Sequence, residues 1–222
     1  MILKKKFFLL VFFFIIFSSY NFKAQKKNFS IFFPIKEITI KGSNALDIEK
    51  LKAELEFLRN TSLFFFKEEE IIKVTQKYSF ISSIQLKKKY PNTLKILISE
   101  KVPVATEING KKKYYITKNG KKINHVELKI FEDLPLIFGK HKNFNFLFSE
   151  LEKSNFKINN IKAFYYFEIG RWDIVLKNKK IIKLPKENYQ NILTELNLIL
   201  NNSKFSKYRV FDYRIKDQLI LQ

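Results

Sequence analysis

The segment KKKYPNTLKILISEKVPVA, from Lys87 to Ala105, decides the fold of the first half of the chain. A lysine run leads into Pro91 and Asn92, which favour a tight turn because proline presets φ and asparagine tolerates the next position. From Leu94 onward apolar residues alternate with polar ones, which predicts a half-buried return strand. We therefore expect a β-hairpin, with Pro103 ending the pairing of one sheet as the chain passes into a second domain.

Upstream of the hairpin, the pattern predicts one strand and two helices. Ile38 and Ile40 alternate with charged neighbours, as in a strand. Helical spacing follows, with Asp47 as a candidate N-cap, and the apolar stripe consists of Ile48, Leu51, Leu55 and Leu58. The acidic residues 68–70 suit the positive end of a second helix better than a metal or acid–base site, because adjacent helical residues point in different directions. The predicted order is β-α-α-β-β.

Downstream of the hairpin, the chain has the pattern of a β-rich domain. Asn119 and Gly120 predict a tight hairpin turn. The sole tryptophan, Trp172, is expected in the core of a strand rather than at an interface. One helix is predicted over residues 188–200, and another from the stripe Phe144, Leu147, Phe148 and Leu151. The fold class is therefore α+β, with a mainly antiparallel second domain that carries two helices.

The N-terminus predicts a membrane segment. Three lysines precede an unbroken apolar run over residues 7–17, and interfacial residues extend it to residue 22. This length approaches that of a short spanning helix, whose anchoring side chains would include Phe7, Leu10, Phe14 and Phe17. A cleaved signal peptide is the alternative, but Phe22 and Phe17 stand where small residues are required. We expect an uncleaved anchor with the N-terminus in the cytoplasm and the bulk of the chain outside.

Composition argues against catalysis and against nucleic acid. The 222 residues carry a net charge of +21, but only four of the 42 basic residues are arginine, the residue best suited to phosphate and base recognition. Cysteine is absent, which excludes disulfides and thiol chemistry. His125 and His141 are expected to be surface residues in loops, since neither has a second ligand at a useful spacing. No phosphate-binding loop or nucleophile motif is present. We expect no enzyme activity, no cofactor and no metal.

Several motifs, in order, resemble the FtsQ/DivIB family of bacterial cell division proteins. In the first half these are Ser62-Leu63-Phe64, Phe80-Ile81, the hairpin Tyr90-Pro91-Asn92-Thr93-Leu94 and Glu100-Lys101-Val102-Pro103-Val104-Ala105. In the second half they are Leu134-Pro135 with Gly139, the strand that starts at Gly170-Arg171-Trp172, and Asp212-Tyr213-Arg214. The resemblance implies a cytoplasmic tail (residues 1–6), a transmembrane signal anchor (7–22), a linker (23–33), a POTRA domain (34–103) and an FtsQ-type β domain (104–222).

The same resemblance implies a function and two binding surfaces. The protein would be a single-pass divisome scaffold of the inner membrane, periplasmic in bulk and enriched at the septum, with FtsK, FtsW or the septal transpeptidase as further partners and no small-molecule substrate. An FtsB-FtsL pair would bind by strand addition at the last strand pair, over Arg214, Ile215, Lys216, Asp217, Gln218, Leu219, Ile220 and Leu221. The edge of the POTRA sheet would contribute Lys87, Lys88 and Lys89.

The residues themselves add an expectation for the last strands and leave two other functions open. Alternation of Phe211, Tyr213 and Ile215 with polar residues predicts a strand with Asp212 on its wet face, followed by a turn at Lys216-Asp217 and a final strand over residues 218–221.

Another POTRA protein, of secretion or outer-membrane assembly, is the first alternative function. A basic anchored protein that binds nucleic acid or an anionic polymer is the second.

Overall fold

The computed structural model describes Phe8, residues 10–16 and residues 32–222, and the chain divides into two compact units at Glu100 and Lys101. The predicted anchor residues Leu10 and Phe14 lie on a helical segment and are exposed. Phe7 and Phe17 lie outside the described residues. Among the helices that are described, none has the length and apolar character needed to cross a bilayer.

The first unit is a three-stranded sheet with two helices. Its elements are β1 (Glu37–Lys41), α1 (Ile48–Glu54), α2 (Glu68–Thr75), β2 (Ile81–Lys89) and β3 (Thr93–Glu100). The strand order is β1-β3-β2, with β3 parallel to β1 and antiparallel to β2. The predicted β-α-α-β-β order and the hairpin are therefore confirmed. The Tyr90–Pro91 peptide at the tip of the hairpin is cis.

The helix boundaries of this unit follow from local hydrogen bonds. Asp47 accepts a hydrogen bond of 3.0 Å from the backbone N–H of Lys50, so its predicted N-cap role is confirmed. The first helix is shorter than predicted, since α1 ends at Glu54 and a 3-10 turn, Glu56–Leu58, continues the chain. The predicted apolar stripe is nevertheless buried, since Leu51, Leu55 and Leu58 lie in one cluster with Leu94 and Ile96 of β3. The residues 68–70 form the first turn of α2, as predicted.

The second unit is a nine-stranded mixed sheet with two longer helices. Its strands are β4 (Pro103–Asn109), β5 (Lys112–Thr117), β6 (Lys122–Asn124), β7 (Leu136–Phe138), β8 (Ile161–Phe167), β9 (Arg171–Leu176), β10 (Ile181–Lys183), β11 (Val210–Asp212) and β12 (Ile220–Leu221). The helices are α3 (Phe144–Lys153) and α4 (Gln190–Asn201). The order across the sheet is β12-β11-β10-β9-β8-β7-β4-β5-β6.

Antiparallel pairs prevail in this sheet, as predicted, but β7 is an unexpected insertion. It runs parallel to β4 on one side and parallel to β8 on the other, and β10 is also parallel to β11. The predicted turn at Asn119 and Gly120 is present, with the N–H of Gly120 donating to the carbonyl of Thr117 at 2.8 Å. The insertion of β7 joins the two halves of the sheet.

Helices α3 and α4 pack apolar side chains against the strands in the core of the second unit. Phe144 of α3 packs edge-on against Phe164 of β8, with ring centroids 5.4 Å apart, and lies 6.0 Å from the Trp172 ring of β9. Leu193 and Leu196 of α4 belong to the same buried cluster. Trp172 is only 3% exposed, so its predicted place in the core of a strand is confirmed.

Candidate protein-binding site

The strand β12 forms one edge of the second unit's sheet. It pairs antiparallel with β11, and Val210 and Gln222 exchange backbone hydrogen bonds of 2.9 and 3.1 Å. Bonded and non-bonded pairs alternate in an antiparallel ladder, so Ile220 points its backbone groups inward to β11 and Leu221 points its N–H and C=O outward. Within the described residues, the outer side of Leu221 is therefore open to an added strand.

The predicted alternation over residues 211–216 is wrong at Asp212 and at Ile215. Phe211 and Tyr213 are buried as expected, but Asp212 is only 5% exposed and Ile215 is 51% exposed. The Asp212 carboxylate accepts hydrogen bonds from the backbone N–H, Nε and Nη2 of Arg214, at 3.1, 2.8 and 2.6 Å. These bonds offer the backbone a local alternative to the sheet, so the strand ends at Asp212.

The final strand is also shorter than predicted. It covers only Ile220–Leu221, whereas residues 218–221 were expected to be extended. The predicted turn is present, and Asp217 adopts a left-handed conformation with φ of 59°. Leu219 and Leu221 pack partly against the core, whereas Ile220 is exposed. The turn and the short strand together leave an exposed loop beside the sheet edge.

A groove of about 580 Å³ runs between this loop and helix α4. Six residues of the predicted partner site line it: Arg214, Ile215, Lys216, Asp217, Gln218 and Leu219. The opposite wall includes Asn191, Ile192 and Glu195, which sequence reasoning missed. Their signal was present in the helical pattern, since they lie on turns of α4 whose Leu193 and Leu196 face the core. The structure thus brings most of the predicted site residues together along one groove.

A ladder of charges crosses the sheet beside this groove. Lys183 of β10 lies in register between Asp173 of β9 and Asp212 of β11. The Lys183 Nζ is 4.0 Å from Asp212, and the Arg171 Nε is 3.2 Å from Asp173. The Arg214 hydrogen bonds lower the pKa of Asp212, whereas burial raises the pKa of Asp173.

The charge ladder fits a structural role. Each buried carboxylate has a cation beside it. In the described part of the chain, no group of three or more His, Cys, Asp or Glu side chains could hold a metal ion.

The predicted lysine edge of the first unit lies on β2, which is an edge strand of the three-stranded sheet. Lys87, Lys88 and Lys89 are all exposed. Their side chains do not form a single row, because Lys88 pairs with the buried Leu94 and its Nζ lies 4.8 Å from the centre of the Phe66 ring. Lys87 and Lys89 point to the opposite face of the sheet.

His141 does not have the surface setting that was expected. Its side chain is 9% exposed, and its ring lies 5.8 Å from Phe144 and 5.9 Å from Trp172. Its Nε2 is 3.8 Å from the buried carboxylate of Glu107, which also pairs with Lys122 at 2.7 Å. Burial lowers the pKa of His141. The prediction failed because the partner, Glu107, is distant in sequence.

Comparison with known families gives two adjacent matches. A model described as "POTRA domain, FtsQ-type" matches residues 33–101, and a model described as "Cell division protein FtsQ/DivIB, C-terminal" matches residues 105–214. One match falls in each compact unit, and each covers most of the residues of its unit. Residues 215–222, which include part of the groove and β12, lie beyond the second match.

Similar proteins carry the same description. The chain is 24% identical over 196 residues to "Cell division protein FtsQ" of Rickettsia typhi, covering 86% of this chain and 73% of that protein. It is 21% identical over 203 residues to the protein of that name from Rhizobium meliloti, covering 90% and 66%. The major extracytoplasmic domain of the cell division protein DivIB from Geobacillus stearothermophilus aligns at 11% identity over 47% of this chain and 99% of that domain, with a TM-score of 0.30.

Proposed function

Since the chain belongs to the FtsQ/DivIB family of bacterial cell division proteins, we propose that it acts in the divisome as a membrane-anchored, non-enzymatic scaffold. Its second unit binds an FtsB-FtsL-type pair by strand addition at β12. The observation that carries this proposal is the outward-facing backbone of Leu221, beside a groove formed by the preceding loop. Matches to FtsQ-type models favour this role over secretion or outer-membrane assembly.

Strand addition needs an unpaired edge and side-chain pockets beside it. The N–H and C=O of Leu221 supply the hydrogen bonds for the edge. The side chain of Ile220, 39% exposed, offers an apolar contact on one face. The groove, with Glu195 on one wall and Lys216 on the other, offers both signs of charge to the side chains of an incoming segment. Backbone pairing would supply affinity, and the groove would supply specificity.

The rigid part of this site is the pair formed by Asp212 and Arg214. The carboxylate fixes the backbone of Arg214 through its N–H and holds the guanidinium at the same time. This double contact sets the direction in which the chain leaves β11 and so positions the loop against α4. A site held in this way loses little conformational entropy when a partner binds.

The first unit serves recruitment in this proposal, through the exposed edge of β2. Lys87 and Lys89 present positive charge on one face, and further division proteins such as FtsK, FtsW or the septal transpeptidase are its candidate partners. Residues 7–22 anchor the chain in the inner membrane, with both units in the periplasm. The lysines before the apolar run and the aromatic residues after it support this orientation.

Two experiments test the proposal. A fluorescent fusion of the full chain in dividing cells should form a band at midcell, and a uniform outline would reject the division role.

A pull-down with an FtsB-FtsL-type pair should compare Leu221→Pro with Ile220→Pro. The first variant removes an outward N–H and should lose binding while the unit still melts cooperatively. The second removes an N–H bonded to β11 and should lower the melting temperature. Normal binding by Leu221→Pro would reject strand addition.

A further inference from the structure

Five aromatic rings form a continuous surface cluster at one end of the first unit; we refer to it as the aromatic tip. Phe33 is at its centre, with ring centroids 5.6 Å from Phe64 and 5.2 Å from Tyr90. Phe32 lies 6.0 Å from Phe33, and Phe65 lies 6.4 Å from Phe64. Phe64 and Tyr90 also contact each other, at 5.5 Å. The rings come from three separate segments, so the fold itself assembles the tip.

The tip is exposed to a degree that core packing does not explain. Phe32 is 61% exposed, Phe64 51%, Phe65 64% and Tyr90 48%. Single exposed apolar residues are ordinary on protein surfaces, but a contiguous patch of large rings marks a contact surface. Hydrogen bonds join the backbone segments beneath it: the N–H of Leu63 donates to the carbonyl of Phe33 at 3.0 Å, and Ser62 Oγ donates to the carbonyl of Phe32 at 2.9 Å.

Lysines flank the residues of the aromatic tip in sequence. Lys88 lies over the ring of Phe66, next to the tip in sequence, and Lys36, Lys67 and Lys89 are exposed on the flanking segments. Glu37 and the acidic run 68–70 are the nearest acidic residues in sequence, whereas the segment before Tyr90 carries three lysines and no acidic residue. Aromatic rings flanked by lysines are typical of surfaces that lie at the level of lipid headgroups.

The position of the tip along the chain indicates that it lies close to the surface of the membrane. Phe32 is the first residue of the described stretch 32–222, and only ten residue steps separate it from Phe22, the end of the predicted anchor. A fully extended chain of that length spans about 35 Å at most. The intervening linker carries Lys23, Lys26 and Lys27 and no acidic residue. The linker thus limits how far the tip can lie from the bilayer surface.

We propose that the aromatic tip docks on the outer surface of an anionic lipid bilayer, with its rings at headgroup level and its lysines against lipid phosphates. Proximity to the bilayer rests on the anchor of the proposed function, but recognition rests on the rings and charges of the tip. Docking would hold the first unit against the membrane beside its own anchor. It would also fix the side from which a partner reaches β2.

The chain has no cysteine, so a single introduced cysteine can carry a fluorescent label without other changes. Phe65→Cys places the label on the tip, where exposure spares the core. Asn44→Cys is the matched control, since the backbone N–H of Asn44 donates to Glu100 at the far end of β3, about 25 Å from the hairpin. Both full-length proteins are reconstituted in vesicles that contain phosphatidylglycerol and a lipid-borne quencher.

We expect the fluorescence emission of the label at residue 65 to shift to the blue and to be quenched by the lipid-borne quencher. The emission of the label at residue 44 should remain unchanged. Replacing Lys36 or Lys67 with Gln should lower the ratio of docked to undocked protein about five-fold each. Equal behaviour of the two labels would overturn the proposal. Shielding of the residue 65 label only after an FtsB-FtsL-type pair is added would also overturn it, because the tip would then be a protein interface.

An alkaline wash of the same vesicles tests the anchor separately. Retention of the full chain after the wash supports the anchor of the proposed function. Release would reject that anchor, whereas the comparison of the two labels in vesicles would still decide whether the tip docks. Midcell localisation of the fluorescent fusion tests the division role and is measured independently of both the alkaline wash and the comparison of the two labels.

Discussion

The Asp212 carboxylate holds Arg214, two residues further along the chain, through three hydrogen bonds, one to the backbone N–H and two to the guanidinium. The pairing ends β11 and turns the chain toward the groove beside α4. Because the carboxylate is buried and the guanidinium is partly exposed, the charge of Arg214 stays available to a partner while its backbone is fixed. The same two residues therefore join the core of the second unit to its candidate binding surface.

Replacing Asp212 with Ala should release the loop over residues 213–219. We expect the melting temperature of the second unit to fall by about 2–6 °C, because several hydrogen bonds to one carboxylate are lost. Partner affinity should fall as well, since the loop must then be ordered on binding. Calorimetry and a binding titration measure the two effects. Glu152→Ala, which removes an exposed carboxylate of α3 outside the groove, is the control; an equal loss of affinity in both variants would contradict a special role for Asp212.

The buried pair of Glu107 and His141 should make the stability of the second unit depend on pH. Burial lowers the pKa of His141 and Lys122 acts in the same direction, whereas Glu107 opposes them without reversing the shift. The native state therefore keeps the ring neutral at a pH where the unfolded chain, with an ordinary histidine pKa of about 6.5, takes up a proton. Protons then bind more to the unfolded state, so stability falls as the pH decreases through that value.

We expect the unfolding free energy to decrease between about pH 7.5 and pH 5.5, with a slope of at most about 1.4 kcal/mol per pH unit from this residue. His141→Phe should flatten the profile in this range. His125→Phe is the control, since that ring is half-buried and stacks on Tyr115, with ring centroids 4.7 Å apart. Urea titrations at several pH values give the measurement. A profile unchanged by His141→Phe would show that other groups cause the dependence.

The first unit offers a test that separates its core from its edge. Leu94 is fully buried in β3, so Leu94→Asp should unfold the unit, at a cost of about 4 kcal/mol or more for an unpaired buried charge. Glu substitutions at Lys87 and Lys89 should leave it folded and should impair recruitment to midcell. Circular dichroism and microscopy measure the two outcomes. Unfolding of the lysine variant would refute the assignment of these residues to the surface.

Local signals made part of this structure predictable from sequence. The cap at Asp47, the turn at Gly120 and the burial of Trp172 each depend on nearby residues or on a simple apolar pattern. The three residues of β7 could not be predicted, because so short a strand has no periodicity and its neighbours β4 and β8 are far apart in the chain. The burial of Asp212 was missed because the alternating pattern placed it on the wet face, and the ion pair with Arg214, two residues away, that compensates its buried charge leaves no signal in such a pattern.

The close approach of β7 and β8 explains a required glycine. Gly139 follows β7 with φ of 97°, a conformation that other residues rarely adopt, and a β-carbon there would lie 2.3 Å from the carbonyl oxygen of Tyr166. Gly110 also has a positive φ, of 59°, but a β-carbon there would meet nothing within 4 Å. Both positions therefore require a residue that tolerates a positive φ, but only at Gly139 is there also no space for a β-carbon.

Alanine substitutions at these two positions should separate the two requirements. Gly110→Ala should cost about 1–2 kcal/mol, the penalty for a left-handed residue. Gly139→Ala should cost clearly more, because the backbone of β8 must move away from β7 and the parallel pairing that joins the halves of the nine-stranded sheet is weakened. Denaturant titrations of both variants give the difference directly. If the two costs are equal, strain in φ alone accounts for Gly139, and the contact with Tyr166 has no energetic role.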